Sequence, residues 1–162
     1  MQTLLKAIRW TSLISFPVFL FATPNSSALA GSIGSCADDL ISSGVSELAA
    51  ASACSDAYKP GELATCVGSI TAIDIKGNEA LQACYRVRRP DELASCVTTI
   101  SSNLEPGKSA MALDSCKRSL LPKRHAECTL DLAGIDKISS EEAMKSCLAA
   151  EINPGDVAPA TE

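Results

Sequence analysis

Aromatic side chains are scarce in this chain of 162 residues, and after position 30 they nearly vanish. Trp10, Phe16, Phe19 and Phe21 stand in the leading stretch, and only Tyr58 and Tyr85 follow it. A core formed beyond residue 30 must therefore consist of Ala, Leu, Ile, Val and Cys, which is thin for a domain of this size. Histidine is reduced to His125. As a general base it would need a nucleophile and an orienting partner, and no motif supplies them. There is no G-x-S-x-G, no H-E-x-x-H, no Walker loop and no dinucleotide fingerprint, so no catalytic residue is assigned. No C-x2-C or C-x3-C pair offers a metal two thiolates from one turn, and no metal ligand or cofactor is assigned either. The adjacent Cys-Cys and C-x-C of plant lipid-transfer proteins are missing as well.

What is present begins with a leader. Lys6 and Arg9 precede an apolar run, Thr11 to Ala22, and a polar stretch then ends in Ala28-Leu29-Ala30. Residues 1–30 read as a Sec-type signal peptide cleaved after Ala30. The run is shorter than the ~20 residues of a spanning helix and contains Pro17, so no stable membrane insertion is expected after cleavage. Removal of Lys6 and Arg9 leaves 12 Lys+Arg against 19 Asp+Glu, a formal net charge of −7. With that charge and so few stacking residues, nucleic acid is excluded as a partner.

All eight cysteines lie beyond the leader, at 36, 54, 66, 84, 96, 116, 128 and 147. An even count in an exported chain reads as four disulfides in a secreted or periplasmic protein. The successive steps are 18, 12, 18, 12, 20, 12 and 19, a period of 30 to 32 residues. Such a period marks stacked two-helix units. Around the first cysteine of each unit the spacing i, i+3, i+4, i+7 recurs: Leu63, Cys66, Val67, Ile70, then Leu93, Cys96, Val97, Ile100. Ile33, Cys36, Ala37, Leu40 and His125, Cys128, Thr129, Leu132 keep it in the outer units, which is one face of a helix. The helix with the second cysteine has Ala four residues before it (Ala50, Ala80, Ala112, Ala143) and a small residue just before it (Ala53, Ala83, Ser115, Ser146). Asn78 before Glu79, and Ser139 with Glu142, read as helix starts. Pro60, Pro90 and Pro122 each stand six residues before a cysteine, where proline stops one helix and starts the next.

The expected fold is all-α: a right-handed, α-solenoid-like array of short antiparallel helix pairs with ~30-residue repeats, stapled by disulfides. It comprises one domain of about eight helices over 31–152, followed by a disordered tail, 153–162. Two pairings of the cysteines compete. Nearest neighbours give Cys36 with Cys54, Cys66 with Cys84, Cys96 with Cys116 and Cys128 with Cys147. Pairing across the proline corners keeps a constant interval of twelve but strands Cys36 and Cys147 at opposite ends of an open array. The period and the phrase "GNEALQACY", Gly77 to Tyr85, resemble tetratricopeptide and Sel1-like arrays, whose units are also antiparallel helix pairs; the Trp-Leu-Gly-Tyr signature is absent.

Charge is uneven along the array. Eight of the twelve basic residues beyond the leader fall between 86 and 124, against four acids. "PGE" and "PDE" put acids at the start of the proline-led helices, while Arg86, Arg88, Arg89, Lys117 and Arg118 are assigned to the negative ends of the preceding ones. Helix-end charge is one reading of the cluster. The other is a basic edge, with Arg88, Arg89, Lys123 and Arg124 meeting an acidic protein or peptide. The expected function is non-enzymatic binding or scaffolding. The alternative is a small carrier of an apolar ligand or a thiolate-bound metal.

Overall fold

The computed structural model describes residues 31–104 and 107–152. The expected leader and the expected tail lie outside the described residues. Within them there are eight helices and no strand. They are α1 (Gly31–Ser42), α2 (Glu47–Asp56), α3 (Pro60–Thr71), α4 (Gly77–Tyr85), α5 (Pro90–Asn103), α6 (Ser109–Arg118), α7 (Pro122–Ala133) and α8 (Ser140–Ile152). None of these is long and apolar enough to cross a membrane.

Proline sets three of the starts. Pro60, Pro90 and Pro122 occupy the first helical position of α3, α5 and α7, where a missing N–H removes no hydrogen bond. The residue before each stays out of the helical region, Lys59, Arg89 and Leu121 having φ of −134°, −133° and −131° with ψ of 82°, 78° and 70°, because the proline ring disfavours helix in its predecessor. The helix pairs turn elsewhere through left-handed residues, Gly44 (φ 84°) after α1 and Asp74 (φ 66°) after α3. α4 starts at Gly77, one residue ahead of the Asn78 expected from the sequence. Gly77 itself makes a close approach: a Cβ there would stand 2.3 Å from the carbonyl oxygen of Ser43. At α8, Ser139 Oγ accepts from the Glu142 N–H at 3.2 Å, the N-cap half of a capping box.

The odd helices pack one on the next, α1 on α3, α3 on α5 and α5 on α7, and each also packs on the even helix that follows it. Burial repeats with the sequence: Leu63, Cys66, Val67 and Ile70 of α3, and Leu93, Cys96, Val97 and Ile100 of α5, are all within 3% of full burial. Burying each Leu, Ile or Val contributes roughly 1.5–3 kcal/mol. At the first unit the pattern opens, and Ile33 is 48% exposed where its counterparts are covered. Four disulfides, Cys36–Cys54, Cys66–Cys84, Cys96–Cys116 and Cys128–Cys147, each join an odd helix to the even helix after it, the nearest-neighbour scheme. No cysteine is free.

Candidate binding face

Three proline corners bring chemistry to one side of the molecule. They comprise residues 57–60, 86–90 and 119–122, between α2 and α3, α4 and α5, and α6 and α7. A cleft of about 580 Å³ separates the first corner from the second, walled by Tyr58, Lys59, Tyr85 and Arg88. A second, of about 350 Å³, lies between Arg88 and Arg89 on one side and Ser119, Leu120 and Pro122 on the other, with Leu93 also in its lining. A third, of about 330 Å³, runs from Leu120, Leu121 and Arg124 to Ala150 and Glu151. The walls between clefts repeat in sequence. Tyr58, Arg88, Leu120 and Glu151 are each the fourth residue after the second cysteine of a unit. Much of this side is apolar and bare: Tyr58 is 96% exposed and Leu120 74%.

The basic residues on this face stand at the unfavourable ends of their helices. Arg86 is the C-cap of α4, but Arg88 and Arg89 lie beyond it, and Arg89 is the N-cap of α5. Their assignment to the negative end of the preceding helix is thus corrected. Lys123 and Arg124 are the second and third residues of α7, where α5 carries Asp91 and Glu92. Cations at a helix N-terminus oppose its dipole by about 0.3–1 kcal/mol each. Only Lys117 and Arg118 sit in a last turn, where the dipole favours them. Arg89 is paired with Glu92 at 3.3 Å. Arg88, Lys123 and Arg124 are exposed and form no ion pair among the described residues. Arg88 and Arg89 share the second cleft, Arg124 lines the third, and Lys123 lines none of the three.

Behind the third corner lies a polar group that sequence reasoning missed. Ser115 Oγ is 2.5 Å from His125 Nε2, and His125 Nδ1 is 4.0 Å from Glu151 Oε1. Glu151 Oε2 accepts from Ser119 Oγ (2.7 Å) and from the Leu120 N–H (2.9 Å), tying α8 to the corner. The order hydroxyl, imidazole, carboxylate is that of an acyl-transfer triad. Its setting is different, because His125 is fully buried and Ser115 is 7% exposed and lines none of the three clefts. His125 takes the position of Leu63 and Leu93, and Ser115 that of Ala53 and Ala83. A large and a small apolar residue are replaced together by a large and a small polar one that bond each other, while His125 Nδ1 stays buried without a hydrogen-bond partner.

Burial holds the His125 pKa below its ordinary value, against the opposing pull of the Glu151 carboxylate. The unfolded chain then binds this proton at higher pH than the folded one. Stability from this group is complete above pH ~6.5 and falls as the pH drops below it, by at most about 1.4 kcal/mol per unit. Melting at pH 5 is expected below melting at pH 7.5. The double change S115A/H125L, which restores the pair used in the other units, is expected to narrow that gap. An unaltered gap in the double variant would assign the pH dependence to other groups.

Among the described residues no group of three or more His, Cys, Asp or Glu could hold a metal ion. No family model, curated protein or solved structure matches this chain. The class that fold and face define is a disulfide-linked, all-α protein of paired helices.

Proposed function

We propose that the chain is an exported protein, secreted or periplasmic, whose helix pairs stack as a right-handed, α-solenoid-like array. In this reading it works by holding a protein or peptide partner on its proline-corner face, without catalysis and without a cofactor. The observation that carries the reading is the placement of Arg88 and Arg89 in the second cleft and Arg124 in the third, with Lys123 and Arg124 in the first turn of α7, where the helix dipole opposes them. Helix-end stabilisation accounts for Lys117 and Arg118 and does not account for these four. Four disulfides suit an oxidising compartment. The alternative of a thiolate-bound metal is the less favoured reading, because it needs reduced cysteines and the pairing in the structure supplies none.

The test places a photo-crosslinking residue at Tyr58 or Leu120 on the corner face, and at Leu48 or Ile135 as exposed controls away from it. A partner captured from the corner positions and not from the controls is expected. The quadruple change R88S/R89S/K123S/R124S should reduce that capture and flatten its dependence on salt, which screens such charges over ~8 Å at physiological ionic strength. Its melting temperature should stay level or rise slightly, because unfavourable helix-end charge is removed. Capture undiminished by the quadruple change at low salt would move the binding surface elsewhere.

A further inference from the structure

We infer that the corner face takes an extended polyproline II segment, laid across the helix axes, with an apolar residue, a carboxylate and an aliphatic residue at every third position. This deepens the preceding proposal and rests on it. The three clefts lie along the stack of α3, α5 and α7, and adjacent packed helices are spaced about 8–10 Å apart. One turn of polyproline II is three residues and about 9.3 Å, so successive turns fall in step with successive clefts. A β-strand repeats on one face every ~6.6 Å and loses register by the second cleft. An α-helix, about 10–12 Å across, is as wide as the interval between walls and rides on Tyr58, Arg88 and Leu120 without entering.

The walls specify the side chains. In the first cleft Tyr58 and Tyr85 offer exposed aromatic rings, the surface on which proline docks. The acids near them are engaged: Glu62 is bound by Lys59 at 2.6 Å, and Asp56 accepts from the Tyr85 hydroxyl at 3.4 Å. The second cleft presents Arg88, which forms no ion pair among the described residues, beside Arg89, which is paired with Glu92, and no carboxylate lines it, so it selects an acidic side chain. The third is walled by Leu120, Leu121 and the Cys128–Cys147 bridge, with Arg124 also in its lining, and its one carboxylate, Glu151, already accepts from the corner N–H groups. A polyproline II ligand is largely ordered before it binds, so little conformational entropy is lost on docking.

The probe is a fluorescein-labelled Pro-Pro-Pro-Glu-Pro-Pro-Leu-Pro, titrated with the native, oxidised protein at low salt and read by anisotropy. Saturable binding is expected. A Gln in place of the Glu, or R88S/R89S in the protein, should each weaken it about tenfold or more, as loss of a charge-assisted contact implies. One further Pro between the Glu and the Leu breaks the three-residue step and should weaken binding about fivefold or more, because the Leu then misses its cleft. The two peptide changes need no protein variant, so a folding defect cannot mimic them. No binding of the parent probe at millimolar protein, or equal binding of the lengthened probe, overturns the inference. If corner-face crosslinks still yield a partner in that case, the binding face stands and only its ligand has been misassigned; if the crosslinks fail too, the face itself falls.

Discussion

Reduction of the four disulfides is expected to unfold most of the protein at room temperature. Each bridge closes a loop of 18 to 20 residues, and loops of that length contribute about 3 kcal/mol apiece by restricting the unfolded chain. The whole stability of a domain is of order 5–15 kcal/mol, and here the described core contains no Trp or Phe. Loss of the helical circular dichroism on treatment with a phosphine reductant is the expected result. Helicity retained, with melting within a few degrees of the oxidised protein, would show that packing alone suffices. The bridges should also open in order. Seven of the cysteines are buried, whereas Cys128 is half-buried and lines the third cleft with Cys147. Partial reduction followed by alkylation should label Cys128 and Cys147 first.

Two glycines in neighbouring helices should respond in opposite directions to the same change. At Gly77 an added Cβ meets the backbone of the turn after α1, 2.3 Å from the Ser43 carbonyl oxygen and 2.9 Å from the Gly44 carbonyl carbon. Neither is the flexible end of a side chain, so α4 must move off the turn that follows α1. Gly77→Ala is expected to destabilise by about 1–3 kcal/mol, the usual range for overpacking. At Gly68, inside α3, nothing lies within 4 Å of an added Cβ, and the equivalent positions in α5 and α7 are Thr98 and Leu130. Gly68→Ala should stabilise by about 0.5–1 kcal/mol through helix propensity. Thermal melts of the two variants settle both. A neutral Gly77→Ala would mean that the turn gives way easily.

The features that repeat were the ones legible before the structure. Cysteine intervals, the i, i+3, i+4, i+7 apolar set and the three prolines locate the starts of the proline-led helices, because proline at a first helical position is a local rule. What repetition could not reveal is what occurs once. Gly77 is small because of Ser43, a contact between units that no local rule encodes. Glu151 reaches the third corner because no proline stands six residues after Cys147, so α8 runs on to Ile152 while α2, α4 and α6 end within two residues of their cysteines. Ser115 was read only as a small residue and His125 only as a replaced leucine; their bond could have been suspected because both depart from the repeat at positions that face each other. Of the basic residues, Arg86, Lys117 and Arg118 lie at the helix ends expected of them and Arg88 and Arg89 do not, since a corner of three or four residues leaves little to separate the end of one helix from the start of the next.

Because every bridge closes within one helix pair and none spans two, the oxidised molecule behaves under tension as four locked knots on a short tether. Force applied across Cys36 and Cys147 can draw out only the three twelve-residue links, Cys54 to Cys66, Cys84 to Cys96 and Cys116 to Cys128, while each bridge holds its two Cα atoms about 6 Å apart. The reach at full extension is then about 150 Å, against ~390 Å for the same stretch of reduced chain. Such a molecule can give way at its links without any of its loops paying out, and recoil requires only that closed loops find their neighbours again.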